Sequence, residues 1–286
     1  MAKRTIGVIG GSGLYELEGL EGVERIKLDT PWGAPSDDYL VGTLGDVRLA
    51  FLPRHGRGHR ILPGEINFRA NIHGMKQLGA EWIVAISAVG SMRDDIRPGD
   101  LVIVDQFFDR TTSRAQTFFG EGIVGHVALA DPVCKHLGDT LEHSARSLSL
   151  RVHRGGTYLC IEGPQFSTRA ESRIYRSWGV DVIGMTNLPE ARLAREAELC
   201  YATVALATDY DCWHQTESDV TVEAILAVLR TNVENSRRLV REVAGRIPAQ
   251  RSCACREACK DAIVTDRASI PAEARRRAAL LFGKYL

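Results

Sequence analysis

Short apolar runs of strand length alternate along the chain with amphipathic stretches of helix length. Residues 5–10 (TIGVIG) read as a buried first strand, and residues 38–53 as a hairpin turning at Gly45-Asp46. A helix follows from Pro63 to about residue 78. Residues 80–91 (AEWIVAISAVGS) read as a strand plus turn, and residues 101–107 (LVIVDQF) as the next strand. Residues 106–127 read as a long loop carrying Arg114, Phe118, Phe119 and His126, and loops of that length are usually functional. The pattern turns helical over 131–148 and strand-like over 157–161. Ser167 or Thr168 is placed to cap a helix that holds Glu171. Residues 181–185 run into a polar turn, Thr186-Asn187. Pro189 then suits the first turn of a helix reaching about residue 198, because its missing N–H costs nothing there. Residues 200–207 form a continuous apolar run, and 220–246 a long amphipathic helix stopped by Pro248. The alternation predicts an α/β domain over 1–248 and a Cys-containing extension over 249–286 with a basic helix at 272–281.

In open α/β sheets ligands gather beyond the carboxyl ends of the strands. Several polar segments fall at such ends here: Gly10-Gly11-Ser12-Gly13, the run Arg54 to Arg60, Ser87 to Ser91, Glu162 to Thr168, Met185-Thr186 and Asp209-Tyr210-Asp211. The first glycines do not keep the G-x-G-x-x-G spacing, and no acidic residue closes a second strand about twenty residues on, so a small-anion loop is expected rather than a dinucleotide fold. Arg54 and His55 open a basic, glycine-rich run suited to phosphate oxygens. Asp209 and Asp211, two apart after a strand, point the same way if the chain stays extended. Crowding and burial would then hold one carboxyl protonated near neutral pH. The alternative is that Asp209 caps a turn and Asp211 is solvated.

Composition narrows the class. Lys plus Arg and Asp plus Glu number 36 each, which leaves no global field to attract nucleic acid or an acidic membrane surface. No apolar stretch approaches a membrane span, and the N-terminal run is too short for a signal peptide, so a cytoplasmic protein is expected. Of seven cysteines, Cys160 and Cys200 read as buried thiols, while Cys253, Cys255 and Cys259 form an unusual C-A-C-R-E-A-C run. That spacing matches neither a zinc-ribbon pair nor C-x-x-C. Metal binding, a disulfide and plain exposure all stay open for it, and no metal is assigned.

Taken in order, GGSGLYE, PRHGRGHR, SAVGS, PGDLVIVDQFFDRT, EGPQFSTRAES, GMTNLPEARLAREAELCYA and TDYDCW resemble the trimeric purine nucleoside phosphorylase family, and within it the 5'-methylthioadenosine phosphorylase branch, over roughly residues 4–245. The resemblance implies a single α/β domain with a central mixed β-sheet flanked by helices, in a homotrimer with shared active sites. Phosphate would be a co-substrate, with no cofactor. It assigns phosphate binding to Ser12, Arg54, His55, Ser87, Ala88 and Thr186. It sets Met185 against the ribose, Phe166 and Ser167 at the base, and Asp209 and Asp211 as the catalytic pair reading a 6-aminopurine. His126 would reach a neighbouring subunit's pocket near the 5' substituent. Val220, Ile225 and Leu226 are candidates to hold that substituent. Gly184 departs from the pattern, since relatives often carry a polar residue there. A 6-oxopurine or methylthioinosine phosphorylase is the nearest rival. A non-catalytic nucleotide-binding protein is the rival from another class. Some relatives from hot habitats use disulfides in the tail.

Overall fold

The computed structural model describes residues 4–11, 13–14, 16–214 and 222–286. One mixed sheet of eleven strands runs through the molecule. Its first half is β1 (Arg4–Gly10), β2 (Glu21–Ile26), β3 (Tyr39–Leu44), β4 (Val47–Pro53) and β5 (Trp82–Ser91). The expected hairpin is present as β3 and β4, paired antiparallel with Leu44 opposite Val47. β4 then lies parallel to β1, and β1 parallel to β5. The second half is β6 (Leu101–Ile103), β7 (Gln106–Arg110), β8 (Val152–Arg154), β9 (Thr157–Ile161), β10 (Val182–Gly184) and β11 (Cys200–Asp209).

β5 is where the sheet forks. Along its body it pairs parallel with β11, from Trp82 opposite Cys200 onward. At its far end Gly90 and Ser91 pair antiparallel with Ile183 and Val182 of β10. The stretch read as strand plus turn is strand through Ser91, because partners on both sides keep the backbone groups of Ser87 to Ser91 in ladders. The single strand expected over 101–107 is two. Asp105 marks the break: its carboxylate accepts the Gly156 N–H at 3.0 Å, and the chain leaves β6, paired with β11 and β8, for β7, paired with β9. The long loop consequently begins at Thr111.

Helices cover both faces: α1 (Phe68–Gln77), α2 (Lys135–Ser147), α3 (Arg169–Ser177), α4 (Glu190–Glu196), α5 (Val222–Arg246) and α6 (Ala272–Phe282). The helix expected from Pro63 is interrupted after a 3-10 turn at Pro63–Glu65, and α1 starts afresh where the Asn67 side chain caps Ala70 N–H. α3 carries the expected capping box between Thr168 and Glu171. Strict alternation along β11 sorts the core. Cys200, Ala202, Val204 and Leu206 face α2 and α5, while Tyr201, Ala205 and Ala207 face α1, α4 and α6. The tail belongs to both layers. Phe282 of α6 stacks on Phe119, with ring centroids 4.5 Å apart, and Cys255 is buried in the opposite cluster. Among the described residues no helix is long and apolar enough to cross a membrane.

Candidate active site

The fork of β5 brings hydroxyls together. The Ser87 Oγ lies 3.0 Å from Thr186 Oγ1 and 3.1 Å from Tyr158 Oη, all three buried. Thr186 follows β10, which runs back alongside β5 and so returns its side chain to the middle of that strand. Ala88, next along β5, points the opposite way and is exposed. Burial pushes the Tyr158 phenol up to about 12, so it remains an O–H donor at neutral pH. The same ring explains Gly184. A Cβ there would meet Tyr158 Oη at 2.0 Å and Cζ at 2.6 Å. The position is bare because the phenol occupies it.

Arg54, just past β4, is 2% exposed. Its guanidinium does not open as a fork toward an anion. Nε and Nη2 donate to the two Glu190 oxygens at 2.7 and 2.8 Å, Nη1 donates to Ile86 O at 3.1 Å, and Nη2 reaches Ile9 O at 3.4 Å. Tyr201 Oη also donates to Glu190, at 3.0 Å. Glu190, at the first turn of α4, thus neutralises the residue expected to hold phosphate. His55 is 2.8 Å from Ile61 O through Nδ1 and stacks on His59. Burial, opposed by that carbonyl bond and reinforced by Arg54, lowers it to about 4. A neutral His55 that donates Nδ1–H to Ile61 presents Nε2 as an acceptor, suited to the hydroxyl of a monoprotonated phosphate. Ser12 lies outside the described residues, as does Val220. The side chains of Ile225 and Leu226 are not described either.

The carboxyl pair does not follow an extended strand. Asp211 sits at φ 44° and opens the 3-10 turn Asp211–Trp213. Its N–H donates to Asp209 Oδ1 at 2.9 Å. Thr208 Oγ1 donates to Asp209 Oδ2 at 2.7 Å, and Ser172 on α3 donates to Asp211. Burial raises both carboxyls above the usual carboxylate range, against these hydrogen bonds, and Asp209 pushes Asp211 further. The turn-cap reading is partly right, since Asp209 does accept the turn's N–H, yet Asp211 is buried rather than solvated. Gly90 separates the pair from β10: a Cβ there would lie 3.0 Å from Asp209 Oδ1 and 3.1 Å from Ile183.

Phe166 is 53% exposed. Ser167 Oγ is buried without a partner among the described residues, and its carbonyl accepts Cys212 Sγ at 3.3 Å. Met185 lies against Gly163, and its carbonyl accepts Arg114 Nη1 at 2.7 Å. His126 is apart from this cluster. It is exposed, and its backbone N–H donates to Ala262 O in the tail at 2.9 Å.

Three contributors escaped the sequence reading. Tyr158 lay unremarked in the strand expected over 157–161, Glu190 in the helix expected after Pro189, and Arg114 on the long loop. Arg114 in fact ties Glu162, Met185 and Leu188 together with bonds of 2.7 to 3.0 Å. No local pattern marks any of them, because each acts through partners distant in sequence. The hydroxyls midway along β5 and the two protonatable carboxyls past the end of β11 can hold an anion on one side of a ligand and donate a proton on the other, and the neutral His55 past β4 adds an acceptor.

Comparison with known proteins places the chain in a family. Residues 5–244 match the model of the phosphorylase superfamily. A protein of Geobacter sulfurreducens named S-methyl-5'-thioadenosine phosphorylase is 58% identical over 99% of this chain and 100% of its own length. One of the same name from Koribacter versatilis is 55% identical over 98% and 96%. The crystal structure of a methylthioadenosine phosphorylase from an antarctic soil metagenomic library superposes with a TM-score of 0.94 at 44% identity, covering 98% of this chain and 99% of that one. Methylthioadenosine phosphorylase from Schistosoma mansoni in complex with adenine gives 0.85 at 38%, covering 94% and 99%.

Proposed function

The chain belongs to the phosphorylase superfamily, and on that premise we propose that it is a pentosyltransferase cleaving 5'-methylthioadenosine with phosphate to adenine and 5-methylthioribose 1-phosphate. The observation that carries the reading is the buried pair Asp209 and Asp211, both raised toward protonation at one end of the site. In the reaction the C1'–N9 bond breaks and its electron pair departs with the base. A phosphate oxygen forms the new bond to C1' from the opposite face. Asp209 gives its proton to N7, so adenine leaves neutral rather than as a poor anion. Asp211 accepts from the exocyclic amine. A 6-oxopurine would set a carbonyl against that acceptor and leave polar groups unmatched, at roughly 1–3 kcal/mol.

Ser87, Thr186, the Ala88 backbone, His55 and Ser12 bind phosphate. Arg54, oriented by Glu190 just past β4, joins them. Met185 lies under the ribose, with Phe166 and Ser167 at the base. Phosphate acts as co-substrate and no organic cofactor is required. The active assembly is a homotrimer in which the exposed His126 enters a neighbour's site, and the enzyme works in the cytoplasm. Adenine release from 5'-methylthioadenosine, run beside inosine with and without phosphate, tests the reading. Fast phosphate-dependent release of adenine is expected. Cleavage of inosine alone would overturn the role of the carboxyl pair.

A further inference from the structure

Four of the seven cysteines converge at the end of the sheet opposite the active site. Cys134 is the residue before α2, Cys200 is the first residue of β11, and Cys253 and Cys255 come from the tail. Their four sulfurs all lie within 4.8 Å of one another. Cys253 is 3.2 Å from Cys200 and 3.8 Å from Cys134. Cys134, Cys200 and Cys255 are buried and Cys253 is half-buried. The apolar wall around them includes Trp82, Leu137 and Ile247.

We propose that Cys134, Cys200, Cys253 and Cys255 form a tetrahedral thiolate site for a structural zinc ion. Four thiolates at the usual Zn–S distance of about 2.3 Å stand about 3.8 Å apart along each edge of the tetrahedron. The observed spacings bracket that value, and the four sulfurs gather on one point rather than separating into two pairs. All four are unbridged thiols. Three separate chain segments supply the ligands, which hides the site from sequence spacing: the local Cys-x-Cys has no recognised partner until β11 and α2 are packed beside it. Cys259, third of the tail run, is not a member. It is turned away, with Sγ on Glu196 O at 3.2 Å.

The chemistry suits the ion. Loading releases the thiol protons and leaves a Zn(S)4 unit of charge −2. The Arg195 guanidinium, with Nη1 4.0 Å from Cys255 Sγ, stands beside that charge. Four protein ligands leave no open coordination position, so the site holds the tail to the body rather than activating water. Soft sulfur donors in this geometry select zinc over magnesium or calcium.

The test is metal analysis of the purified full-length protein from zinc-supplemented cells, with thiols counted before and after chelation. About one zinc per chain is expected. Chelation should free four further thiols to a thiol reagent and lower the melting temperature, and zinc should restore it. The double substitution Cys253→Ser/Cys255→Ser should abolish the zinc, while Cys259→Ser should retain it. Four thiols consumed in two disulfides, seven reduced thiols that take up no zinc on reconstitution, or full zinc content in the double variant would each overturn the proposal. Metal content and thiol number are read without substrate, so these results are independent of the assigned reaction.

Discussion

Replacing Asp209 by Asn separates hydrogen bonding from proton transfer. In the structure Asp209 accepts from Thr208 Oγ1 at 2.7 Å and from Asp211 N–H at 2.9 Å. An Asn keeps its carbonyl for the Asp211 N–H and offers an amide N–H to N7, so binding survives. It cannot deliver a proton. General acid catalysis contributes about 10²–10⁴-fold, so kcat on 5'-methylthioadenosine should fall by that factor with KM little changed. A companion variant, Thr208→Val, acts on the proton's affinity. The Thr208 hydroxyl stabilises the ionised carboxyl, and a hydrogen bond to a charged group is worth about 1.5–3 kcal/mol, or about 1–2 pH units. Burial already raises Asp209. Removing the hydroxyl raises it further, and the alkaline limb of the kcat profile moves to higher pH by about that amount. Steady-state kinetics across pH with both variants checks the pair. Near wild-type kcat in Asp209→Asn, or an alkaline limb that stays in place or moves down in Thr208→Val, would refute the acid role.

Glu190→Ala leaves the Arg54 guanidinium buried without its partner, and loss of one member of a buried pair costs about 3–5 kcal/mol; the urea midpoint should drop accordingly, and an unchanged midpoint would show that Arg54 finds another acceptor. Gly184→Ala drives a Cβ into Tyr158 and must displace the phenol from Ser87, so the KM for phosphate should rise and stability fall by about 1–3 kcal/mol. Glu196 is pushed by burial from an ordinary 4.5 up to about 7, against hydrogen bonds from Thr117 and Phe118. The native state therefore holds this proton more tightly than the unfolded chain. Stability should decline by roughly 3 kcal/mol as pH rises between those values, and urea midpoints of Glu196→Gln should lack that part of the decline.

Order and type of most elements were legible because hydrophobic period decides them: β1, the β3–β4 hairpin, β9, β11 and α5 follow the expected runs within a few residues. What failed to show depends on neighbours. The stretch 80–91 read as strand plus turn, but β10 and β11 hold it in the ladder through Ser91. One apolar run became β6 and β7 because two different strands were there to receive it. In the site, residue type pointed to Thr186, His55 and the two aspartates. The orientation of Arg54 toward Glu190, the reason for a bare Gly184 and the departure of Asp211 from extended backbone are all set by packing across the sheet. The cysteines make the same point, since their grouping exists only once strand, helix and tail have met.

β11 begins at Cys200 among the tail sulfurs and ends at Asp209 beside the proposed leaving base. Ten residues of strand span about 30 Å. On the zinc proposal, endurance and turnover fall to opposite poles of one rod. Substitutions at the Cys200 pole can lengthen or shorten the working life of the molecule while the chemistry at Asp209 stays as it was, so selection for a hotter or more oxidising setting has material to act on that catalysis does not constrain.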